Sequence, residues 1–328
     1  LLPKPSAGAN QAGVRMSAST IQASVIVCTY NRAESLRHTL NALAAQQLPS
    51  TVEWELIVVD NNSSDQTREV VLAAQAQFAT LHYLHEPRQG LSFARNCGIA
   101  AARGEVLLFT DDDVRPEPDW IATVLAALER EQAEACGGYI APDWEVAPPA
   151  WLTERFYGFL AIKTETAACR IDTLDRLPFG ANMAFRRQLF DRFGRFDTER
   201  GRKGNQLASG EDGELFARLI RAGIKVIHVP EARVHHRIEA FRVEKRYFRR
   251  WRSHTSRNLA QTVGLPGERR LAGIPLYLFA QLARAAWRTL VGYLTAPADE
   301  AFHREVVLWH FIGTLDGLWR SRHRPVQP

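Results

Sequence analysis

Three consecutive carboxylates, Asp111, Asp112 and Asp113, follow a short apolar run and carry the clearest chemical potential in this chain. The preceding segment, residues 105–109, predicts a buried parallel strand, because a continuous apolar run suits a strand covered on both faces. Adjacent carboxylates repel one another and are costly to desolvate, so we expect a cation to neutralise them. The cluster alone leaves one alternative open, a solvated acidic turn that caps a helix predicted from Pro118.

Two further polar segments follow predicted strands. The first comes after strand 24–28 and the second after strand 54–59; they read Thr29-Tyr30-Asn31-Arg32 and Asp60-Asn61-Asn62-Ser63-Ser64-Asp65. Tyr30 offers a stacking face, and Asp60 can accept hydrogen bonds from a base N–H or from ribose hydroxyls. The second segment is also compatible with a simple turn and helix cap.

The elements that must position these residues alternate between strand and helix patterns over residues 23–139. This alternation predicts an α/β fold, a Rossmann-like and mostly parallel sheet with helices on both faces. In open sheets of this kind, ligands bind outside the carboxyl ends of the strands, so all three polar segments are expected at one rim. Residues 141–180 look irregular, and the Gly-rich loop 197–210 is expected to order over a ligand. A strand at 181–185, a helix at 212–222 and a strand at 224–229 complete this part.

Length and composition allow one large domain plus an appendage, or two domains. The four cysteines are far apart with no C-x-x-C pair, which argues against a zinc site or a disulfide scaffold and suits a reducing cytoplasm. Residues 1–22 lack an apolar segment and are expected to be disordered or foreign to the native protein. No apolar run reaches the ~18 residues of a membrane span.

The character of the sequence changes beyond His236. Residues 237–257 interleave arginine and lysine with aromatic residues, and helical patterns at 271–294 and 301–319 place large apolar residues at helical spacing. This predicts a helical extension, 238–328, that contacts a membrane surface peripherally. The alternative is an ordinary helical bundle packed on the sheet domain.

The order of these segments resembles inverting glycosyltransferases of family 2, which have the GT-A fold. The resemblance spans residues 23–237. It rests on strand 24–28 with its polar loop, on Glu55 to Asp65 (similar to "ELIVVDDGSxD"), on Gly90 to Gly98 ("GxxxARNxG"), on the triple Asp (a D-x-D motif), and on Glu211-Asp212. Asn61 and Asn62 replace the commoner Asp-Gly. The run Tyr247 to Trp251 has Tyr where processive members carry the Gln of Q-x-x-R-W, which favours transfer of a single sugar.

The resemblance implies a nucleotide-diphosphate sugar as donor, with UDP, GDP or dTDP not distinguished, and Mn²⁺ or Mg²⁺ as cofactor. It also implies a role for each candidate site residue. Asp111 and Asp113 hold the metal, and His235 falls where the family often has a metal or phosphate ligand. Asp212 is the base, and Glu211 is its rival. The donor contacts Thr29, Tyr30, Asn31, Arg32, Asp60, Asn62, Arg95, Asp111 and Asp112, and an arginine in loop 200–203 is a further diphosphate contact.

The expected acceptor is a glycan or a lipid-linked glycan of cell-envelope polysaccharide synthesis. The expected location is cytoplasmic, with the extension contacting the inner face of the cytoplasmic membrane. Three other functions stay open at this point. A nucleic-acid-binding protein would use the basic segment 237–257, although the triple Asp would repel phosphate. A catalytically inactive sugar-nucleotide binder would not need Asp212. A nucleotidyltransferase would be expected to show a Gly-rich loop with Arg after the first strand, and Thr29-Tyr30-Asn31-Arg32 is not such a loop.

Overall fold

The computed structural model describes residues 21–198, 210–262, 269–271 and 273–322. The predictions for residues 1–20 and for arginines in loop 200–203 lie outside the described residues. The strands are β1 (Ala23–Thr29), β2 (Trp54–Asp60), β3 (Leu81–His85), β4 (Val106–Asp111), β5 (Val114–Pro116), β6 (Ala135–Trp144), β7 (Cys169–Arg170), β8 (Met183–Arg186), β9 (Val226–Ile238), β10 (Arg270–Leu271) and β11 (Ile274–Pro275).

The helices alternate with the strands in the first half of the chain and follow them at the end. They are α1 (Ala33–Ala44), α2 (Thr67–Ala74), α3 (Leu91–Ala101), α4 (Trp120–Arg130), α5 (Gln188–Phe193), α6 (Glu211–Arg221), α7 (Lys245–Thr262), α8 (Leu276–Thr295) and α9 (Ala298–Arg322). Short 3-10 helices cover Gln75–Gln77, Glu154–Leu160 and Ala240–Val243. None of the helices in the described part of the chain is long and apolar enough to span a bilayer.

One mixed sheet organises the described strands in the order β3-β2-β1-β4-β8-β6-β9-β5, with β7 added on β9. The first four strands are parallel, and β8 joins them antiparallel through β4. Along β1, Val25 and Val27 face one hydrophobic core while Ile26 faces a second core on the other side of the sheet. Side chains of a strand alternate between its faces, so the apolar run of β1 serves both layers. The predicted α/β fold with helices on both faces is confirmed.

Two strands extend into regions where no strand was predicted. β6 continues to Trp144 and β9 to Ile238, and they pair in parallel over that length. Pro142 is tolerated in β6 because Ile140, two residues earlier, directs its N–H to Lys163, away from β9. The N–H that Pro142 lacks would point the same way, so the ladder with β9 loses nothing. Strand β5, directly after the triple Asp, was also not predicted; it pairs antiparallel with β9.

A third core joins the helical extension to the rest of the chain. Phe156, Phe248 and Phe302 are fully buried there, and Trp151 packs edge-on against Phe302 with ring centroids 4.6 Å apart. Ile238, the last residue of β9, belongs to the same cluster. The predicted boundary between residues 237 and 238 therefore falls inside a strand and beside a shared core.

Helices α7 and α9 approach each other closely at two glycines of α9. A Cβ on Gly313 would lie 2.3 Å from the carbonyl oxygen of Ser253, and one on Gly317 would lie 2.5 Å from that of Arg257. No larger residue fits at either position without moving the helices apart. The two helices therefore pack backbone against backbone.

Candidate active site

The polar segments that follow β1, β2 and β4 meet at one rim of the sheet. Thr29 is in register with Asp60, and Cys28 with Asp111, so the three strands end side by side. A cavity of about 960 Å³ opens at this rim. Ten of the residues predicted for the site line it: Thr29, Tyr30, Asn31, Arg32, Arg95, Asp111, Asp112, Asp113, Glu211 and Asp212.

The loops after β1 and β2 are tied to each other by hydrogen bonds. The Asn31 N–H donates to Ser63 Oγ at 2.9 Å, and the Ser64 N–H donates to Asn31 Oδ1 at 2.7 Å. Asn31 has φ of 51°, a left-handed conformation that asparagine adopts more readily than most residues. The Ala33 N–H, in the first turn of α1, donates to Asp65 Oδ2 at 3.0 Å. The second loop therefore holds the first in place at the mouth of the cavity.

Three predicted site residues, Asp60, Asn62 and His235, do not line the cavity. Asp60 accepts hydrogen bonds from the Tyr83 hydroxyl and the Ser63 N–H, both at 2.8 Å. Asn62 contacts the ring of His85 at 3.3 Å. His235 contacts Glu117. Because neighbouring residues of a strand face opposite sides, it is His236 that reaches the cavity.

Asn61 takes the place at the cavity wall that was predicted for Asn62. Its Oδ1 accepts from the Gly90 N–H at 2.8 Å, and its Nδ2 donates to the carbonyl oxygens of Glu86 and Arg88. The side chain thereby fixes the turn that leads into α3. Asn61 thus orders the start of α3, the helix that carries Arg95.

Asp113 is surrounded by basic side chains. It accepts from Arg32 Nη1 at 2.8 Å, and it lies 3.3 Å from His236 Nε2 and 3.5 Å from Arg242 Nη1. Burial alone would raise the pKa of Asp113, but His236, Arg32 and Arg242 together hold that pKa well below its usual range. Asp113 is therefore a buried, ionised carboxylate.

The pKa of Asp112, in contrast to that of Asp113, is raised. Burial, together with the negative charge of Asp113, raises the pKa of Asp112 to about 7, although Arg32 at 3.4 Å opposes the shift. Asp111, at the end of β4, exposes 34% of its side chain and lies 3.7 Å from Arg95 Nη2. The three adjacent carboxylates thus differ in exposure and in charge compensation.

Arg95 joins the triple Asp to the acidic pair at the start of α6. The guanidinium is buried and donates from Nη1 to Glu211 Oε1 at 2.8 Å. The guanidinium fits only because residue 180 is glycine, since a Cβ at Gly180 would lie 2.0 Å from Arg95 Nη2. Burial and the charge of Asp212 raise the pKa of Glu211, against the opposing effect of Arg95. Oε2 of Glu211 is buried and has no hydrogen-bond partner among the described residues.

Both members of the acidic pair line the cavity, and Asp212 is half-buried whereas Glu211 is buried. Asp212 Oδ2 accepts from the Gly180 N–H at 2.9 Å, and Asp212 Oδ1 accepts from the Gly213 N–H at 2.8 Å. Both bonds come from backbone, so the orientation of the carboxylate is fixed without a neutralising cation. No sequence motif points to Gly180, which makes room for Arg95 and donates its N–H to Asp212.

Two potential ligands of a divalent cation lie at the correct separation for one ion. Asp113 Oδ1 and His236 Nε2 are 3.3 Å apart, close to the ~3.0 Å between neighbouring ligands of an octahedral ion with bonds of ~2.1 Å. Among the described residues, no three His, Cys, Asp or Glu side chains converge on one point. These two side chains fit a cation that also binds water or oxygens of a bound substrate, provided that Arg242 Nη1, which lies 3.1 Å from His236 Nε2, moves aside.

The far wall of the cavity comes from the helical extension and from the 3-10 helix at residues 154–160. Phe159, Phe241 and Trp251 supply aromatic surface, and Arg246 and Arg250 project from successive turns of α7. These residues were not predicted to lie near the rim, because they are distant from it along the chain. The cavity is near the upper end of the usual range for ligand sites, which leaves room for two substrates.

Comparison with known proteins defines the class. The family model for glycosyl transferase family 2 matches residues 24–194. The glucosyl-dolichyl phosphate glucuronosyltransferase of Haloferax volcanii is 32% identical over 228 residues, which cover 68% of this chain and 72% of that protein. The succinoglycan biosynthesis protein ExoM of Rhizobium meliloti is 30% identical over 248 residues, covering 73% and 76%. The chain belongs to glycosyltransferase family 2 and is a glycosyltransferase.

Solved structures agree on the fold. The mannosyltransferase PcManGT from Pyrobaculum calidifontis superposes with a TM-score of 0.53 at 23% identity, covering 94% of this chain and 76% of that one. Residues 1–349 of S. aureus TarS superpose with a TM-score of 0.53 at 18% identity, covering 92% of each chain. At these identities the likeness concerns the fold, and it supports the GT-A assignment.

Proposed function

We propose that this glycosyltransferase is metal-dependent and inverting, and that it moves one sugar from a nucleotide-diphosphate sugar to an acceptor hydroxyl. The observation that carries the proposal is the position of Asp212, a carboxylate oriented by backbone, in the same cavity as the triple Asp. Displacement with inversion needs a base on the acceptor side and charge stabilisation on the leaving-group side. The two sets of carboxylates meet these two requirements.

The donor end of the cavity lies at the rim. We assign Tyr30 to stacking on the base, Thr29, Asn31 and Arg32 to further contacts with the nucleotide, and Asp111 and Asp112 to the ribose and the sugar. All six residues line the cavity. Arg95 is engaged with Glu211, so we assign it to positioning the acidic pair rather than to the diphosphate. PcManGT is described in complex with GDP-Man and Mn²⁺, and GalNAc-T7 with UDP, GalNAc and Mn²⁺. These complexes support a nucleotide-sugar donor here.

We infer that Asp113 and His236 hold a Mn²⁺ or Mg²⁺ ion, and we keep Asp111 as a third ligand because the D-x-D resemblance implies it. This replaces His235 with His236 in the predicted ligand set. When bound, the cation stabilises negative charge on the departing diphosphate. An imidazole ligand favours Mn²⁺ slightly over Mg²⁺, because Mg²⁺ prefers oxygen ligands.

Asp212 is assigned to proton removal from the acceptor hydroxyl. A carboxylate whose two oxygens each accept one backbone N–H keeps a fixed direction and retains lone pairs for a third partner. Glu211 serves a different purpose, because it is buried and bound to Arg95. A proton from the acceptor therefore passes to an oxygen of Asp212, and Glu211 with Arg95 holds the start of α6 in place.

The acceptor end of the cavity is assigned to the wall formed by α7. Its aromatic side chains suit the faces of sugar rings, and Arg246 and Arg250 suit an acceptor with a phosphate. Two relatives are named for a dolichyl phosphate substrate and for succinoglycan synthesis. We propose a glycan or lipid-linked glycan of cell-envelope polysaccharide synthesis as acceptor, on the cytoplasmic side of the membrane. Nucleic acid is not favoured, because Arg246 and Arg250 face the same cavity as the carboxylates.

The test compares two isosteric variants of the acidic pair. Asp212→Asn should abolish sugar transfer while donor binding, measured by thermal shift with UDP-, GDP- and dTDP-sugars and Mn²⁺, stays close to that of the wild type. Glu211→Gln should lose stability first, because it disturbs the buried pair with Arg95. If Asp212→Asn transfers sugar normally and Glu211→Gln does not, the base is Glu211. If no nucleotide-sugar stabilises the wild type, the proposed function is wrong.

A further inference from the structure

One face of α8 carries large apolar side chains that no described element covers. Trp287, Leu290 and Leu294 expose 66%, 56% and 77% of their surface. Seven of the fourteen exposed large hydrophobic residues in the described part of the chain belong to this single helix: Leu276, Tyr277, Phe279, Trp287, Leu290, Tyr293 and Leu294. A concentration of apolar surface on this scale indicates an interaction site.

The exposed residues lie opposite the side of α8 that packs on α9. The buried residues of α8 are Leu278, Ala285, Thr289 and Gly292, most of them small. A Cβ on Gly292 would lie 2.9 Å from Arg304 of α9, so the inward side is already close-packed. Leu276, Trp287, Leu290 and Leu294 recur at helical spacing on the outward side. We call this set the α8 apolar face.

The charged side chains of α8 are all arginines. α8 contains no Asp or Glu. Arg284 and Arg288 are exposed, lie one turn apart beside Trp287, and make no ion pair among the described residues. Arg288 also lines a depression of about 430 Å³, in which Arg155, Arg304 and His303 accompany a single carboxylate, Glu300. Arg304 pairs there with Glu300, and Arg155 lies 4.0 Å from Asp299, so Arg288 is the arginine of this depression that suits a phosphate group.

We propose that the α8 apolar face docks into the interface of an anionic phospholipid bilayer. The apolar side chains would enter the boundary of the acyl chains, Tyr277 and Trp287 would lie at headgroup level, and Arg284 and Arg288 would contact lipid phosphates. A second copy of this chain is a poorer occupant. Pairing of two α8 faces would bring four arginines together, with no carboxylate on either helix to compensate them.

The docking surface has a consequence for the acceptor, and only this consequence rests on the proposed function. α8 packs on α9, α9 packs on α7, and α7 supplies Arg246, Arg250 and Trp251 to the cavity. A docked α8 is therefore connected to the acceptor end of the cavity through two packed helices, α9 and α7. This arrangement suits an acceptor that is carried by a membrane lipid.

Flotation of the full chain with vesicles tests the proposal without donor or acceptor. The vesicles are phosphatidylcholine alone and an equal mixture of phosphatidylcholine and phosphatidylglycerol. The double variant Trp287→Gln/Leu290→Gln should lower the partition coefficient on the mixed vesicles at least ~10-fold. Leu72→Gln is the matched control, since Leu72 is similarly apolar and 43% exposed on α2; it should bind as the wild type does. Arg284→Gln and Arg288→Gln should each weaken binding to mixed vesicles roughly fivefold and leave the weak binding to phosphatidylcholine unchanged.

Two results would overturn the proposal. The first is equal flotation of the wild type and the double variant. The second is a wild type that is dimeric by light scattering and does not float, with the double variant monomeric, which would make the face an interface between copies. Leu294→Gln, at the most exposed position, tests the same face if the double variant does not fold. Because no sugar is transferred in these experiments, their failure is separate from failure of the proposed function.

Discussion

Gly180→Ala is expected to break the buried ion pair of Arg95 and Glu211. A Cβ at residue 180 would lie 2.0 Å from Arg95 Nη2 and 3.0 Å from Cζ. Atoms of these types need about 3.5 Å, so the guanidinium would have to move by about 1.5 Å. The end of an arginine side chain can usually move, but Arg95 is buried, holds Glu211 at 2.8 Å, and lies over the ring of Phe196.

Two known costs bracket the effect of Gly180→Ala on the free energy of unfolding. Overpacking alone costs about 1–3 kcal/mol. Loss of one partner from a buried ion pair costs about 3–5 kcal/mol. A shift of about 1.5 Å does not preserve a 2.8 Å bond, and Glu211 Oε2 already lacks a partner. We therefore expect a loss of about 3–5 kcal/mol. Transfer should also slow, because the N–H of residue 180 orients Asp212.

Urea unfolding followed by circular dichroism measures this loss. Gly158→Ala is the matched control, because no atom lies within 4 Å of a Cβ at that position. In an Arg95→Met background the guanidinium is gone, so adding Gly180→Ala should cost less than about 1 kcal/mol more. An equal cost of Gly180→Ala in both backgrounds would refute the reasoning, as would a cost below about 1 kcal/mol in the wild type.

Two further predictions concern the rim. The pKa of Asp112, raised to about 7 by burial, lies above the ~3.9 expected in the unfolded chain. Without donor or cation, the contribution of Asp112 to the free energy of unfolding should be complete below about pH 4 and lost as the pH rises through 7. The total loss should be roughly 4 kcal/mol at most. Urea midpoints between about pH 5 and 8 should therefore fall in the wild type and stay flatter in Asp112→Asn; parallel profiles would contradict the assignment. His236→Ala should weaken Mn²⁺-dependent nucleotide binding at least ~10-fold by calorimetry. His235→Ala should not, and the reverse order would restore His235 as the ligand.

The sequence was sufficient to predict the rim of the site. The apolar runs of β1, β2 and β4 are local signals, and parallel strands necessarily bring their carboxyl ends together. Thr29, Asp60 and Asp111 were accordingly expected at one edge, and they lie there. Asp60 nevertheless turns to Tyr83. Strand ends can be predicted from patterns, whereas the direction of a side chain beyond the strand depends on its neighbours in space.

The choice between His235 and His236 could not be made from the sequence. Strand β9 was expected to end at residue 229, so both histidines lay outside any predicted element. Their sides are set by the pairing of β9 with β5 and β6, and a register shift occurs between Gly138 and Tyr139 of β6. Pairing between residues so distant along the chain leaves no local pattern. The contribution of α7 to the cavity escaped prediction for the same reason.

The close approach of α7 and α9 at Gly313 and Gly317 has a consequence for reach. Helices in backbone contact do not slide or swing easily, so we expect α7 and α9, with α8 packed on α9, to move together. If α8 lies in a membrane, the distance from the lipid surface to the cavity wall formed by α7 is then nearly constant. A constant distance would favour acceptors whose reacting hydroxyl lies at that same distance from the lipid. Gly313→Leu, by separating the helices, would alter that distance and the preferred length of the acceptor.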